Sequence, residues 1–86
     1  MYNIRVKNFL SLRSNTIDCI FSFCHENFPD YIFLGLRGKD LIIKGFYASS
    51  QVKECRDELE TFCKAFCFLC ADCGFEFDIV IEEVFS

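Results

Sequence analysis

Hydrophobic residues along this chain fall into six successive blocks, whose periods run alternating, helical, alternating, alternating, helical, alternating. A period of two places side chains on opposite faces of a strand, and a period of 3.6 lines up one side of a helix. The order therefore predicts a β-α-β-β-α-β chain. Residues 1–86 are read as one domain, and a chain of this length buries only about two-thirds or less of the surface its unfolded form exposes. The twelve phenylalanines offset that handicap, because each aromatic ring removes roughly 150–250 Å² from water.

The first block, Tyr2 to Asn8, alternates Tyr2, Ile4 and Val6 with Asn3, Arg5 and Lys7, the pattern of a half-buried strand. Asn15 can cap the helix that follows, with Asp18 at its third position. Ile17, Ile20, Phe21, Cys24 and Phe28 share one stripe of that helix, and Pro29 ends it. The strands Tyr31 to Leu36 and Leu41 to Tyr47 flank a type II′ turn at Gly38-Lys39, which uses its leading glycine. That turn sets Leu36 opposite Leu41 and Leu34 opposite Ile43 on one face. On the other face it sets Gly35 opposite Ile42, Phe33 opposite Lys44 and Tyr31 opposite Phe46.

Ser49 or Ser50 caps a second helix that runs to about Cys73 and stops at Gly74. Its apolar stripe is Val52, Cys55, Leu59, Phe62, Cys63, Phe66, Cys70 and Cys73. The last strand, Phe75 to Phe85, alternates Phe75, Phe77, Ile79 and Ile81 with Glu76, Asp78, Val80 and Glu82. This order resembles the ferredoxin-like split βαβ motif. The resemblance implies an α+β fold with a four-stranded antiparallel sheet in the order 4-1-3-2 and two helices on one face. The first and last strands are then neighbours, so Arg5 and Lys7 pair with Glu76, Asp78 and Glu82 across the open face.

Seven cysteines invite a search for chemistry. Cys63, Cys67 and Cys70 reproduce the C-x3-C-x2-C spacing of radical SAM cluster loops, and Cys67, Cys70 and Cys73 reproduce part of a ferredoxin run. Here the cysteines fall in a segment of helical period, where a rise of about 1.5 Å per residue sets Cys63 and Cys73 roughly 15 Å apart. One zinc ion with bonds of about 2.3 Å cannot collect all of them. The expectation is core packing by reduced thiols, with no metal and no cofactor; the alternative is a thiol-ligated zinc or iron–sulfur protein, which requires the helix to unwind after Phe66. The single histidine, His25, follows Cys24 directly, and adjacent helical residues do not face each other. With no phosphate-binding loop and no nucleophile elbow, no catalytic residue is expected.

Ile4-Arg5-Val6-Lys7-Asn8-Phe9 resembles the RNP2 strand of the RRM family, and Lys44-Gly45-Phe46 resembles the opening of its RNP1 strand. The resemblance implies a single-stranded nucleic-acid binder that stacks a base on Phe46, with Arg5 and Ala48 at the other two stacking positions. The net charge of −4 opposes phosphate binding, so direct nucleic-acid binding is the secondary expectation.

Charge is distributed unevenly. Residues 1–48 carry six basic and four acidic side chains, whereas residues 49–86 carry three basic and nine acidic ones. Glu54, Asp57, Glu58 and Glu60 concentrate negative charge on the second helix and can steer a basic partner. Phe68 lies off the apolar stripe of that helix, and Tyr31, Phe33, Ile42 and Phe46 form an apolar patch on the sheet face that neither helix covers. These residues define an expected partner-binding surface, taken by a protein with a basic nucleic-acid-binding face or by a second copy of the chain meeting sheet to sheet. The expected role is a non-catalytic protein-binding module. Its sharpest form is an acidic inhibitor of a nucleic-acid-handling complex, of the phage anti-CRISPR type. The start of the chain lacks the continuous apolar stretch of a secretory signal, and no apolar run approaches the roughly 20 residues of a membrane span. A cytoplasmic location, that of the host for a phage protein, is expected.

Overall fold

The computed structural model describes residues 1–70 and 78–85, with side chains described as far as residue 65 in the second helix and again from residue 78. It contains β1 (Tyr2–Val6), α1 (Ser14–Asn27), β2 (Phe33–Arg37), β3 (Asp40–Phe46), α2 (Ser49–Cys70) and β4 (Ile79–Glu83). The sheet is antiparallel throughout, in the order β2-β3-β1-β4, which is 4-1-3-2 read from the other edge. Among the described residues, no helix is long and apolar enough to cross a membrane.

The hairpin register follows from its turn. Leu36 faces Leu41, Gly35 faces Ile42, Leu34 faces Ile43, Phe33 faces Lys44, and Arg37 closes on Asp40. Gly38 alone takes a positive φ in this turn, +61°, as the leading residue of a II′ turn does. The alternation in β1 and β4 also holds. Ile4 pairs with Ile43 and Ile81, Val6 pairs with Leu41 and Ile79, and these side chains all turn toward the helices.

The helices start earlier than their polar residues suggest. α1 begins at Ser14 with Arg13 in the cap position, and Asn15 instead accepts a 2.9 Å bond from the backbone N–H of Thr16. α2 begins at Ser49, and the N–H of Val52 donates to the carbonyl of Ala48, which makes Ala48 the capping residue. The chain leaves α1 at Phe28, just before Pro29. Gly74, Phe75, Glu76 and Phe77 lie outside the described residues.

One face of the sheet and both helices enclose the core. Ile20, Cys24 and Phe28 from the first helical segment meet Val52, Cys55, Leu59 and Cys63 of α2 over Ile4, Val6, Leu41, Ile43, Phe46 and Ile79. A turn of 3-10 helix at Phe9–Ser11 adds Phe9, fully buried, whose ring meets Phe21 edge to face at 5.3 Å. The cysteines of α2 as far as Cys63 are small core residues, as their helical spacing predicts.

The apolar patch expected on the open face is where the structure departs most from simple alternation. Phe46 is fully buried in the core. Its neighbour Gly45 has φ +108°, and the β1–β3 register jumps there, with Asn3 opposite Lys44 and Tyr2 opposite Phe46. This is a β-bulge, and one extra residue turns every later side chain to the other face. Ile42 does face away from the helices, yet only 2% of it is exposed. It sits between Gly35 and Arg5. The end of the Lys44 side chain passes over Gly35, so the stems of long charged residues roof this isoleucine.

Candidate protein-interaction site

Charged side chains bridge the open sheet face. Arg5 Nη1 donates to Asp40 Oδ2 at 3.0 Å and Nη2 to Glu82 Oε2 at 3.4 Å, while Nε lies 2.6 Å from Glu82 Oε1 in an ion-pair contact too bent to be a hydrogen bond. Lys7 stands 3.6 Å from Asp78. The cross-strand pairing expected of Arg5 and Lys7 therefore forms with Asp78 and Glu82, with Asp40 as an additional partner; Glu76 lies outside the described residues. Partial desolvation opposes the charge on Arg5, but its two carboxylates outweigh it and raise the pKa. Asp40 is held below its ordinary value, first by the backbone N–H of Asn8 and then by Arg5. Tyr31 and Phe33 remain exposed, Phe33 by 74%. Tyr31 lies before β2, with its ring against Tyr47 at 5.7 Å and its hydroxyl donating to Gln51 at 2.8 Å. Tyr31, Phe33, Ile42 and Phe46 thus do not form one exposed patch.

The base-stacking geometry is absent for the same reason. Phe46 lies under the helices, Arg5 is tied between two carboxylates, and Ala48 comes after the strand has ended. A base could reach Phe46 only if the bulge were undone.

The thiols of Cys24, Cys55 and Cys63 lie buried in the core where the two helices meet. Cys24 and Cys55 face each other there, and burial pushes their pKa values up to about 12 and about 11, helped in Cys55 by Glu58 and Glu54. A reactive cysteine needs the opposite shift. His25 is exposed while Cys24 is buried, so the adjacent pair points in different directions. α2 is helical through Cys63, Cys67 and Cys70, unlike a cluster loop, and among the described residues no group of His, Cys, Asp and Glu could hold a metal ion. The side chains of Phe66, Cys67, Phe68 and Cys70, and the whole of Cys73, lie outside the described residues.

Raised thiol pKa values couple stability to alkali. A thiol whose folded pKa exceeds its unfolded value adds stability that is complete below about pH 9 and is lost as pH climbs toward the folded value. The unfolding free energy is expected to decline between pH 9 and about 12, by up to about 1.4 kcal/mol per pH unit for Cys24 alone. Urea melts at stepped pH test this: Cys24→Ala should flatten that limb, and an unchanged slope would contradict the burial of the thiol.

The helix side of the molecule does gather the acidic residues. An open groove of about 710 Å³ runs between α1 and α2, lined by Phe23, Asn27, Glu54, Asp57, Glu58, Thr61 and Phe62. Phe23 and Phe62 stack in its floor, with centroids 4.3 Å apart and planes within 13°. A smaller hollow of about 240 Å³ beyond the same two rings brings in Glu26 and Cys19. The helical period explains this arrangement. Glu54, Asp57, Glu58 and Thr61 are three or four residues apart, so they rise along one side of α2. Glu60 does not join them. It binds Arg56 at 3.1 Å and Lys64 at 2.9 Å on the flank of the helix, and Lys64 foremost holds its pKa down.

Asp57 is partly committed to Arg56 at 2.7 Å. Among the described residues neither Glu54 nor Glu58 has an ion-pair partner. The groove thus offers two free carboxylates, a third half-engaged one and an aromatic floor. The sequence patterns set Glu26 on the polar side of α1, place Phe62 in the buried stripe of α2 and give Phe23 no face. A signal for Phe23 does exist: it is an aromatic one step off the apolar stripe of α1. Compared with known proteins, the chain matches no family model, no curated protein and no solved structure.

Proposed function

We propose that this protein is a non-catalytic protein-binding module whose helix-side groove takes a basic, arginine-bearing segment of a partner protein. The observation that carries this reading is the stacked Phe23–Phe62 floor beneath the carboxylates of Glu54, Asp57 and Glu58. A guanidinium group is planar, binds carboxylates with paired N–H donors and stacks on aromatic rings, so one arginine can use both floor and wall. Where the partner's basic segment normally holds nucleic acid, the carboxylates take the place of phosphates, and the protein acts as an acidic inhibitor. The scaffold is ferredoxin-like in its element order and sheet order, and its two helices form the binding layer while the sheet supports them.

Titration calorimetry with an arginine-rich peptide tests the proposal. Binding should weaken steeply as salt rises, and Glu54→Gln with Glu58→Gln should cost about ten-fold in affinity. A double variant that binds as well as the parent removes this reading. Tighter binding of a single-stranded oligonucleotide than of the peptide would favour nucleic-acid recognition instead.

A further inference from the structure

We propose that two copies of this chain join edge to edge through β2, antiparallel about a two-fold axis at Gly35, into one eight-stranded sheet. The two edges of the sheet differ. β4 carries Glu82 and Glu83, and the bond from the N–H of Val84 to the carbonyl of Met1 extends its pairing with β1. β2 runs Phe33-Leu34-Gly35-Leu36 without a charge or a proline, and among the described residues no strand covers its outer side. Proteins commonly protect bare edges with charge, proline or a cover. The only charge on β2 is Arg37 at its end.

The strand is complementary to itself. A two-residue turn is closed by a hydrogen-bonded pair, here Arg37 and Asp40, so Arg37, Gly35 and Phe33 direct their N–H and C=O groups to β3. Leu34 and Leu36 direct theirs outward. Under a two-fold axis at Gly35, Leu34 meets Leu36 of the second copy and exchanges both bonds with it, and the mirrored pair does the same. Gly35 meets its own counterpart with no side chain between them. On the helix side, half-buried Leu34 then packs against Leu36, which is 55% exposed in the single chain. On the other side Phe33, 74% exposed, lies opposite the guanidinium of Arg37, a cation–π arrangement. Five residues per strand make a small interface, so the dimer should dissociate in the micromolar range.

This inference is independent of the groove, which lies between the helices. Sedimentation equilibrium of the full chain over about 1–200 µM should show a monomer–dimer equilibrium. Leu36→Lys, an exposed change that leaves the core alone, should weaken it at least ten-fold while the circular dichroism spectrum is unchanged. In oxidised glutathione, Gly35→Cys should form a disulfide between the introduced thiols of two paired copies, beyond any cross-linking of the parent through its own cysteines. A Cβ at Gly35 touches nothing closer than the end of Lys44 at 3.9 Å, so that variant should fold. A monomer throughout the range, a dimer indifferent to Leu36→Lys, or no cross-link at position 35 would each overturn the proposal.

Discussion

Replacing Phe46 by alanine is expected to lower the unfolding free energy by about 3–5 kcal/mol, the cost of emptying a buried aromatic site. The ring is fully buried, and it meets Phe28 edge to face at 6.1 Å. The loss is a large share of the roughly 5–15 kcal/mol that holds a typical domain together. The measurement is a urea or guanidinium titration followed by circular dichroism. A change below about 1 kcal/mol would mean that Phe46 stands on the surface, where truncation is close to neutral. The same variant bears on recognition: lost nucleic-acid affinity in a Phe46 variant would reflect unfolding, so stability must be read beside any binding result.

Gly45→Val should be the second large effect, and it acts through the backbone. At φ +108° a β-branched residue is strained whatever room surrounds it. The space itself is only snug, since a Cβ would lie 3.4 Å from the carbonyl oxygen of Tyr31. Strain of this kind costs about 1–3 kcal/mol, and the chain can relieve it only by losing the bulge. Without the extra residue, Phe46 would turn away from the helices and Tyr2 would lose its present register with β3. The expected result is a stability loss of about 2–3 kcal/mol, with Phe46 newly open to solvent in hydrogen exchange or quenching experiments. An unstrained, equally stable Gly45→Val protein would show that the bulge does not set the face of Phe46.

These two residues also mark how far the sequence could be read. The hairpin register was legible because a two-residue turn with a leading glycine fixes which residues oppose one another. The core stripes of both helices were legible as well, from Ile20 and Cys24 to Val52, Cys55, Leu59 and Cys63, because a 3.6-residue period leaves only one side to bury. The bulge breaks the alternation that the hydrophobic pattern predicts, and an isolated glycine inside an alternating strand is its usual sign. Treating Lys44-Gly45-Phe46 as regular strand put the ring on the wrong face and created an apolar patch that the molecule does not have.

The candidate site divided in the same way. Helical spacing alone brings Glu54, Asp57 and Glu58 to one side of α2. Their meeting with Phe23 depends on how α1 lies against α2, and no pattern within either helix contains that angle. Glu60 belongs to the same acidic run, yet Arg56 and Lys64 hold it on the flank. Composition counts a charge without saying whether a neighbour has already neutralised it.

From residue order alone came the succession of strands and helices, the hairpin register and the inward stripes, all of which are local properties, while the sheet order came with the resemblance of that succession to the ferredoxin-like motif. The tertiary structure decided the face of Phe46, the roofing of Ile42 by long charged side chains, and the union of an aromatic stack shared by two helices with the carboxylates of one of them. Those depend on which distant segments come within a few ångströms of one another, and a backbone bulge or a helix-packing angle changes that without altering any periodicity.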